Sequence, residues 1–316
     1  MLDVNSSLTI PRIYSAGHGV SRMRERIFTD WLWERPRKLW GQEPIQLQHR
    51  LDRHPLFDLD RLASLIERYP EDRYTLVRMG KPGEERSWEE GKLNSRPGAG
   101  RQLLRQIQQG RLWINLLHTN EVDSDFQKLL DEIYAEIHER LPDYPATFQR
   151  ICGVLISSPG AQVYYHFDTT GQNLWQIRGS KRVWLYPPEP PFLQEHELED
   201  VQLFHKEVGI TYEPWYDEQP RVRTFELTAG SMLHWPLNAP HRIENLGFSV
   251  SLTTEFKTRD IQRHCRAVGA NGLLRRMRVP QSWVPYPAKL GVLAAAKAAG
   301  VLERGQRARR PVVFRL

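Results

Sequence analysis

The residues with the clearest chemical potential are a histidine and an aspartate two positions apart, His166 and Asp168, and a distant second histidine, His241. Side chains of a β-strand alternate between its two faces, so an H-x-D pair on a strand places an imidazole and a carboxylate on the same side. A distant histidine can complete a triad that occupies one side of an Fe(II) ion and leaves positions open for a cosubstrate and dioxygen. The spacing therefore predicts a metal site of the oxygenase type.

The segment after the H-x-D pair strengthens this prediction, because an isolated pair of this kind is a weak signal. Residues 174–178 and 181–186 are rich in β-forming residues and flank Gly179-Ser180. Glycine at the first central position suits a two-residue type II′ turn. We therefore predict a β-hairpin.

Lys181 occupies a notable position in this predicted hairpin. Its register places Lys181 on one mostly apolar face, together with Leu174, Gln176, Val183 and Leu185. A lysine there needs an anionic partner or must extend its ammonium to the mouth of the fold. Two interpretations stay open: a lysine that pairs with a carboxylate of a cosubstrate, and a lysine at a hairpin tip that faces solvent.

The surroundings of His241 also fit a site built on strands. His241 follows Pro240, whose fixed φ stiffens the backbone at that point. The segment 248–256 then alternates strictly, with Ser249, Ser251 and Thr253 on one face. That face lines either a polar cavity or the solvent side of an antiparallel strand, which is the commoner case. Periodicity does not decide between the two.

This ordered set of motifs over about residues 150–256 resembles the JmjC/cupin-like Fe(II)- and 2-oxoglutarate-dependent oxygenases, in particular their asparaginyl-hydroxylase members and bacterial cupin-like relatives. The resemblance implies a mainly β fold with helical additions, a double-stranded β-helix (jelly-roll or cupin) barrel with N-terminal and C-terminal helices. It implies that His166, Asp168 and His241 hold iron and are the catalytic centre.

The resemblance also implies how the cosubstrate 2-oxoglutarate is held. Lys181 would bind its distal carboxylate, and Gln172 and Thr253 fall where the hydroxylases have cosubstrate-contacting asparagines. Two departures stand out. Val163 replaces a threonine that helps to hold the cosubstrate, and Gln172 is longer than asparagine by one methylene.

The expected activity is hydroxylation of a protein or peptide side chain, or of a small metabolite, coupled to decarboxylation of 2-oxoglutarate to succinate. One alternative is a metal-binding cupin without redox activity, acting as a sensor or interaction module. Another is a cupin enzyme that needs no cosubstrate. Neither alternative requires Lys181, so this residue discriminates between them.

Composition favours a soluble cytoplasmic protein. The two cysteines, Cys152 and Cys265, cannot form a disulfide framework and are expected to be buried thiols. The N-terminal residues lack the pattern of a secretory signal, and residues 290–302 are too short, and interrupted by Lys297, to span a membrane.

Charge is distributed unevenly along the chain. Residues 257–316 carry fourteen Lys or Arg against two acidic residues, although the formal charge of the whole chain is only +6. A basic tail can contact nucleic acid, but a solvated face or an acidic partner surface is favoured because no recognition motif accompanies it. Nucleic-acid binding therefore stays the less favoured alternative.

The hydrophobic patterns divide the chain into three parts. We predict an N-terminal helical and mixed arm over residues 1–110, a JmjC-like core over 111–256, and a basic helical extension over 257–316. Within these parts we expect helices at 58–69, 123–141, 261–267, 271–277 and 287–302, strands at 74–79 and 110–117, and a patternless loop at 81–100. The helix at 123–141 is expected to cover Trp175 and Trp184. By resemblance, the C-terminal helices suggest a homodimer.

Overall fold

A computed structural model describes residues 26–79, 88–93, 96–204, 210–300 and 313–315 of the 316-residue chain. The helices of these residues are α1 Glu34–Leu39, α2 Leu59–Glu67, α3 Ala99–Gln109, α4 Thr119–Val122, α5 Ser124–Arg140, α6 Glu195–Phe204, α7 Arg259–Arg276 and α8 Tyr286–Ala298. The strands are β1 Ile45–Gln48, β2 Tyr74–Met79, β3 Trp88–Lys92, β4 Leu112–Leu116, β5 Phe148–Ser157, β6 Gln162–His166, β7 Gly171–Arg178, β8 Ser180–Leu185, β9 Arg223–Thr228, β10 Ser231–Trp235, β11 His241–Asn245, β12 Ser249–Lys257 and β13 Val313–Arg315.

The strands form two sheets. The larger has nine strands in the order β1-β10-β7-β12-β5-β4-β2-β3-β13, and the smaller has four in the order β6-β11-β8-β9. All neighbours pair antiparallel except β3 and β13, which pair parallel. The expected fold class is confirmed at this level, because the chain is a mixed helix and sheet structure with antiparallel sheets that fits the jelly-roll type. The proposed domain boundaries stay a prediction.

Two hydrophobic layers hold these sheets in place. Between the sheets, apolar side chains from both pack together; this inner layer contains Leu174, Val183, Leu185, Leu227, Leu233, Trp235, Ala239 and Ile243. The other face of the nine-stranded sheet packs against the helices, including α2, α3 and α5. The inner layer is thus contributed by alternate residues of strands that face each other, as expected for stacked sheets.

The long helix predicted at 123–141 is α5, and its apolar stripe packs on the nine-stranded sheet. Trp175 is fully buried in the same hydrophobic cluster, beside the rings of Phe28 and His49. Trp184 lies outside that cluster, because β8 belongs to the other sheet. Its ring instead lies under the guanidinium of Arg242, 3.4 Å from the ring centroid, a favourable cation–π arrangement.

The predicted hairpin is wrong. β7 pairs with β10 and β12 in the nine-stranded sheet, whereas β8 pairs with β9 and β11 in the four-stranded sheet. Gly179 connects them with φ of 72°, and this left-handed conformation, which glycine adopts readily, turns the chain from one sheet to the other. The predicted cross-strand pairs between the two segments are therefore absent.

Gly179→Ala is expected to destabilise the protein strongly. A Cβ at this position would lie 2.0 Å from the carbonyl oxygen of Phe248, in addition to the strain of a left-handed backbone. Gly160→Ala is the matched control, because Gly160 has φ of 70° and no atom within 4 Å of an added Cβ. We expect Gly179→Ala to lower the free energy of unfolding by at least about 2 kcal/mol more than the control. Denaturant titration measures the free energy of unfolding of both variants. Equal losses in the two variants would contradict the close packing of Gly179 against Phe248.

Several elements differ from the sequence-based expectations. The part of the predicted loop at 81–100 that the structure describes contains β3 and the start of α3, and the two short helices at 261–267 and 271–277 are one continuous helix, α7. Both cysteines are free thiols, as expected; Cys152 is buried as predicted, whereas Cys265 is only half-buried. Among the described residues, no helix has the length and apolarity needed to cross a membrane.

Candidate metal and cosubstrate site

Three predicted ligands meet between the two sheets. His166 is the last residue of β6, Asp168 follows two positions later, and His241 is the first residue of β11. Because β6 and β11 are neighbours, His241 lies directly opposite His166. One ligand atom of each side chain lies within 4.8 Å of the other two, and His241 Nε2 is 3.5 Å from Asp168 Oδ2. The sequence therefore identified three side chains that the fold brings together, although Asp168 lies beyond the end of β6 and not on the strand as predicted.

Backbone carbonyls fix the orientation of both imidazoles. His166 Nδ1 lies 2.7 Å from the carbonyl oxygen of Tyr164, and His241 Nδ1 lies 3.1 Å from that of Ala239. A carbonyl only accepts hydrogen bonds, so each Nδ1 carries the proton and donates. Each Nε2 is then left with a lone pair, as in histidines that bind metals through Nε2.

The electrostatics of the site favour neutral histidines. Burial lowers the pKa of His166. Burial and then the charge of His166 hold the pKa of His241 well below its usual range. A metal ligand must be unprotonated, so both side chains are in the form that binds a cation. Two imidazoles and one carboxylate are the donor set of non-haem Fe(II) sites, and these residues fit that ion.

Lys181 lies inside the protein on β8, with only 2% of its surface exposed. It sits between Leu227 of β9 and Asn245 of β11. Burial alone lowers its pKa to about 7. Among the described residues, no carboxylate lies within ion-pair distance of its ammonium. The interpretation of Lys181 as a solvent-facing hairpin residue is therefore wrong, and an internal cation without an anion remains.

The charged groups near Lys181 do not change its pKa. Arg182 on its own strand and Glu226 on β9 form an ion pair of 2.7 Å on the outer face of the small sheet. The other titratable groups of the adjoining strands are Arg223 on β9, and His241, Arg242 and Glu244 on β11; Glu255 lies on β12 of the facing sheet. None of them contributes to the shift of Lys181.

Lys181 is expected to destabilise the ligand-free protein below pH 7. Its pKa is about 7 in the folded protein and 10.5 in the unfolded chain, so between these values only the unfolded chain holds the proton. Stability therefore rises with pH across that interval. Relative to Lys181→Met, the free energy of unfolding of the wild type should stay constant below pH 7 and then rise by about 1.4 kcal/mol per pH unit. Denaturant titrations without cosubstrate test this, and a pH-independent difference would contradict it.

The two other predicted cosubstrate contacts also lie on the inner side of the large sheet. Gln172 is buried, and its Nε2 lies 3.5 Å from Thr170 Oγ1. Thr253 lies opposite Leu174 on the neighbouring strand, and its Oγ1 lies 3.4 Å from the carbonyl oxygen of Gly153. Both hydrogen bonds are long, so both groups can turn to another partner. Their role towards a cosubstrate stays a prediction.

The structure decides the open question about the polar face of β12. Ser249 and Ser251 are buried and bond to one side chain of β7: Gln176 Nε2 donates to Ser249 Oγ at 3.0 Å, and Ser251 Oγ donates to Gln176 Oε1 at 2.8 Å. The face is therefore internal and does not face solvent. Val163, which lacks a hydroxyl, pairs with Ile243 and packs against the inner layer.

Two groups around the triad escaped the sequence analysis. Asn238 bonds to the backbone of Asp168, and His264 of α7 bonds to Asn238. Asn238 stands three residues before His241 in an Asn-Ala-Pro-His segment, where asparagine is a common turn residue. The position of Asn238 in a turn next to a predicted ligand was the signal that could have identified it. Nothing in the sequence pointed to His264.

Comparison with curated proteins gives one partial match. No protein-family model matches the chain. The tRNA wybutosine-synthesizing protein 5 of Danio rerio is 29% identical over 135 residues, which is 41% of this chain and 39% of that protein. The match therefore spans less than half of the relative's length.

Comparison with solved structures extends over more of the chain. An X-ray structure of ycfD from Escherichia coli has a TM-score of 0.50 and 16% identity, covering 87% of this chain and 68% of that one. A complex of YcfD, described as a ribosomal oxygenase, with cobalt and 2-oxoglutarate has a TM-score of 0.48 and 16% identity, covering 80% and 58%. At these identities the likeness concerns the fold. At the level of the fold, the resemblance found in the sequence is thus confirmed, and the chain shares the fold of ycfD.

Proposed function

We propose that the chain is an Fe(II)- and 2-oxoglutarate-dependent oxygenase that hydroxylates its substrate. The observation that carries the proposal is the combination of a His166–Asp168–His241 triad whose imidazoles are neutral with a buried Lys181 that has no anionic partner among the described residues. A triad alone fits any metal-binding cupin. An internal ammonium is costly unless it meets an anion, and a dicarboxylate cosubstrate supplies that anion while its other end reaches the metal.

The path of the chain supports the inference that the two sheets form a double-stranded β-helix barrel. From β5 to β8 the strands alternate between the nine-stranded and the four-stranded sheet, and from β9 to β12 they alternate again. This winding encloses the inner layer and brings β6, β8, β11 and β12 to one interior. His166, His241 and Lys181 lie on β6, β11 and β8, which are neighbours in the four-stranded sheet.

Each residue then has a defined task. The triad holds the metal ion, which when bound supplies the chemistry that couples hydroxylation to conversion of 2-oxoglutarate into succinate. Lys181 donates charge-assisted hydrogen bonds to the distal carboxylate, and these are strong in a low-dielectric interior. Leu174, Val183 and Leu185 exclude water from that end of the site.

The proposed substrate is a protein or peptide side chain or a small metabolite. A protein substrate ranks first because the YcfD complex with a similar fold is described as a ribosomal oxygenase. A modified tRNA nucleoside is a further candidate, since the zebrafish relative is a tRNA wybutosine-synthesizing protein. Fold likeness alone does not select among these classes. Homodimer formation and nucleic-acid binding by the basic C-terminal region stay predictions.

An unbiased search for product tests the proposal. Cell extract is incubated with the protein, Fe(II) and 2-oxoglutarate, and mass spectrometry looks for a gain of about 16 Da, one oxygen atom. Asp168→Ala is the matched control. A product that appears only with the wild type supports the proposal. No oxygenated product, together with no conversion of 2-oxoglutarate, would favour a metal-binding cupin without redox activity.

A further inference from the structure

The turn between β10 and β11 holds an asparagine in an unusual backbone conformation. Asn238 has φ of 62°, in the left-handed region that asparagine tolerates better than most residues. Its side chain is buried, with 4% of the residue exposed. It lies three residues before the ligand His241. A buried polar side chain in such a conformation has to be held by its hydrogen bonds.

Those hydrogen bonds connect the metal-ligand segment to a helix. Asn238 Nδ2 donates to the carbonyl oxygen of Asp168 at 2.9 Å. Because that carbonyl only accepts, the amide orientation is fixed and Asn238 Oδ1 points the other way. There Oδ1 lies 3.1 Å from His264 Nε2 of α7, which must be the donor. Asn238 therefore bridges α7 and a ligand residue.

A second contact joins the next residue of α7 to the next residue of the ligand segment. Cys265 Sγ donates to the carbonyl oxygen of Thr169 at 3.3 Å. The thiol in turn accepts from Gln202 Nε2 of α6 at 3.4 Å. Consecutive residues of α7 thus hold consecutive carbonyls, those of Asp168 and Thr169.

This support matters because Asp168 lies outside the sheet. β6 ends at His166, and β7 begins only at Gly171, so strand pairing fixes His166 and His241 but leaves Asp168 to its local contacts. The Asp168 carboxylate is nevertheless 3.5 Å from His241 Nε2. The bonds to the carbonyl oxygens of Asp168 and Thr169 support this segment from the side of α7.

We propose that Asn238, oriented by His264, is a positioning residue for Asp168 and makes α7 part of the metal site. The inference rests on the proposed metal site and adds a role for the helical extension after the last core strand. Outer hydrogen-bond partners of metal ligands typically change metal affinity by about 10- to 100-fold when they are removed.

Asn238→Gly tests the role of the amide most cleanly, since glycine accepts the same backbone conformation and loses only the side chain. Cobalt(II) binding to the purified protein is titrated calorimetrically without 2-oxoglutarate. We expect affinity to fall by about 10- to 100-fold. His264→Ala should give a smaller loss, and His264→Gln should restore part of it through its amide N–H. The free energy of unfolding of the metal-free variants is measured in parallel.

His138→Ala is the matched control. His138 lies on α5, outside the proposed metal site, and its ring also bonds to a side chain, Thr147 Oγ1 at 2.9 Å. It should bind cobalt like the wild type. If Asn238→Gly and His264→Ala also bind cobalt as tightly as the wild type, the positioning role is wrong while the proposed function stands. If Asn238→Gly fails to fold, His264→Ala decides the test. Weaker cobalt binding by folded His264→Ala supports the positioning role, and wild-type binding contradicts it. A wild type that binds no metal would contradict the metal site itself.

Discussion

His166→Ala and Asp168→Ala are each expected to abolish metal-dependent turnover and to weaken metal binding severely. In the proposed metal site each of these residues supplies one of three side-chain ligands, and alanine leaves the site with two. In both variants His241 keeps its neutral form, because burial lowers its pKa. The arrangement of three ligands on one side of the ion is nevertheless lost. Cobalt(II) titration and succinate production measure the two effects.

The control for these variants has to be a histidine outside the site. His138→Ala removes an imidazole of α5 and should leave both quantities unchanged. His234 is unsuitable as a control, because it is buried and stacks on Trp40 with ring centroids 4.0 Å apart, so its loss would disturb the core. Succinate production at the wild-type rate by His166→Ala or Asp168→Ala would show that the triad is not the metal site.

Lys181→Ala is expected to separate cosubstrate binding from metal binding. The three metal ligands do not depend on Lys181, so cobalt affinity should be unchanged. Affinity for 2-oxoglutarate should fall by about 2–3 kcal/mol, roughly 30- to 150-fold, the scale for losing one side of a desolvated charge pair. Titration of 2-oxoglutarate into the cobalt-loaded protein gives this value.

Lys181→Arg should restore only part of the lost affinity. A planar guanidinium is wider than an ammonium, and the residue is enclosed by β9 and β11 with 2% of its surface exposed. Lys181→Met keeps most of the length without the charge and should resemble Lys181→Ala. If all three variants bind 2-oxoglutarate as the wild type does, Lys181 is not the cosubstrate anchor.

The site was predictable from the sequence where the signal is local or follows strand periodicity. His166 and Asp168 are two residues apart, so their common location needs no knowledge of the fold. Alternation placed Lys181 on the same face as Val183 and Leu185, and the structure buries all three, even though the hairpin was wrong. Alternation shows which residues of a strand are buried, but it does not show which strand lies beside it. A hairpin within one sheet and a crossing between two facing sheets direct the same side chains into the shared interior, so alternation alone fits both.

The rest depended on contacts between distant segments. α7 was predicted as two helices, and Gly269, a weak helix former, lies in the gap between them. In the structure a Cβ at Gly272 would lie 2.7 Å from Leu203 of α6, so the glycine permits close helix packing and the helix continues. His264 and Asn238 likewise lie 26 residues apart, and only the fold brings them to Asp168.

Conversion of 2-oxoglutarate to succinate by the purified wild type tests the central claim most directly. The protein is supplied with Fe(II), 2-oxoglutarate and dioxygen, and succinate is quantified with and without cell extract. We predict succinate formation that requires Fe(II), increases with extract, and disappears in Asp168→Ala. Wild-type protein that binds Fe(II) and 2-oxoglutarate yet forms no succinate with any extract would contradict the assignment as an oxygenase.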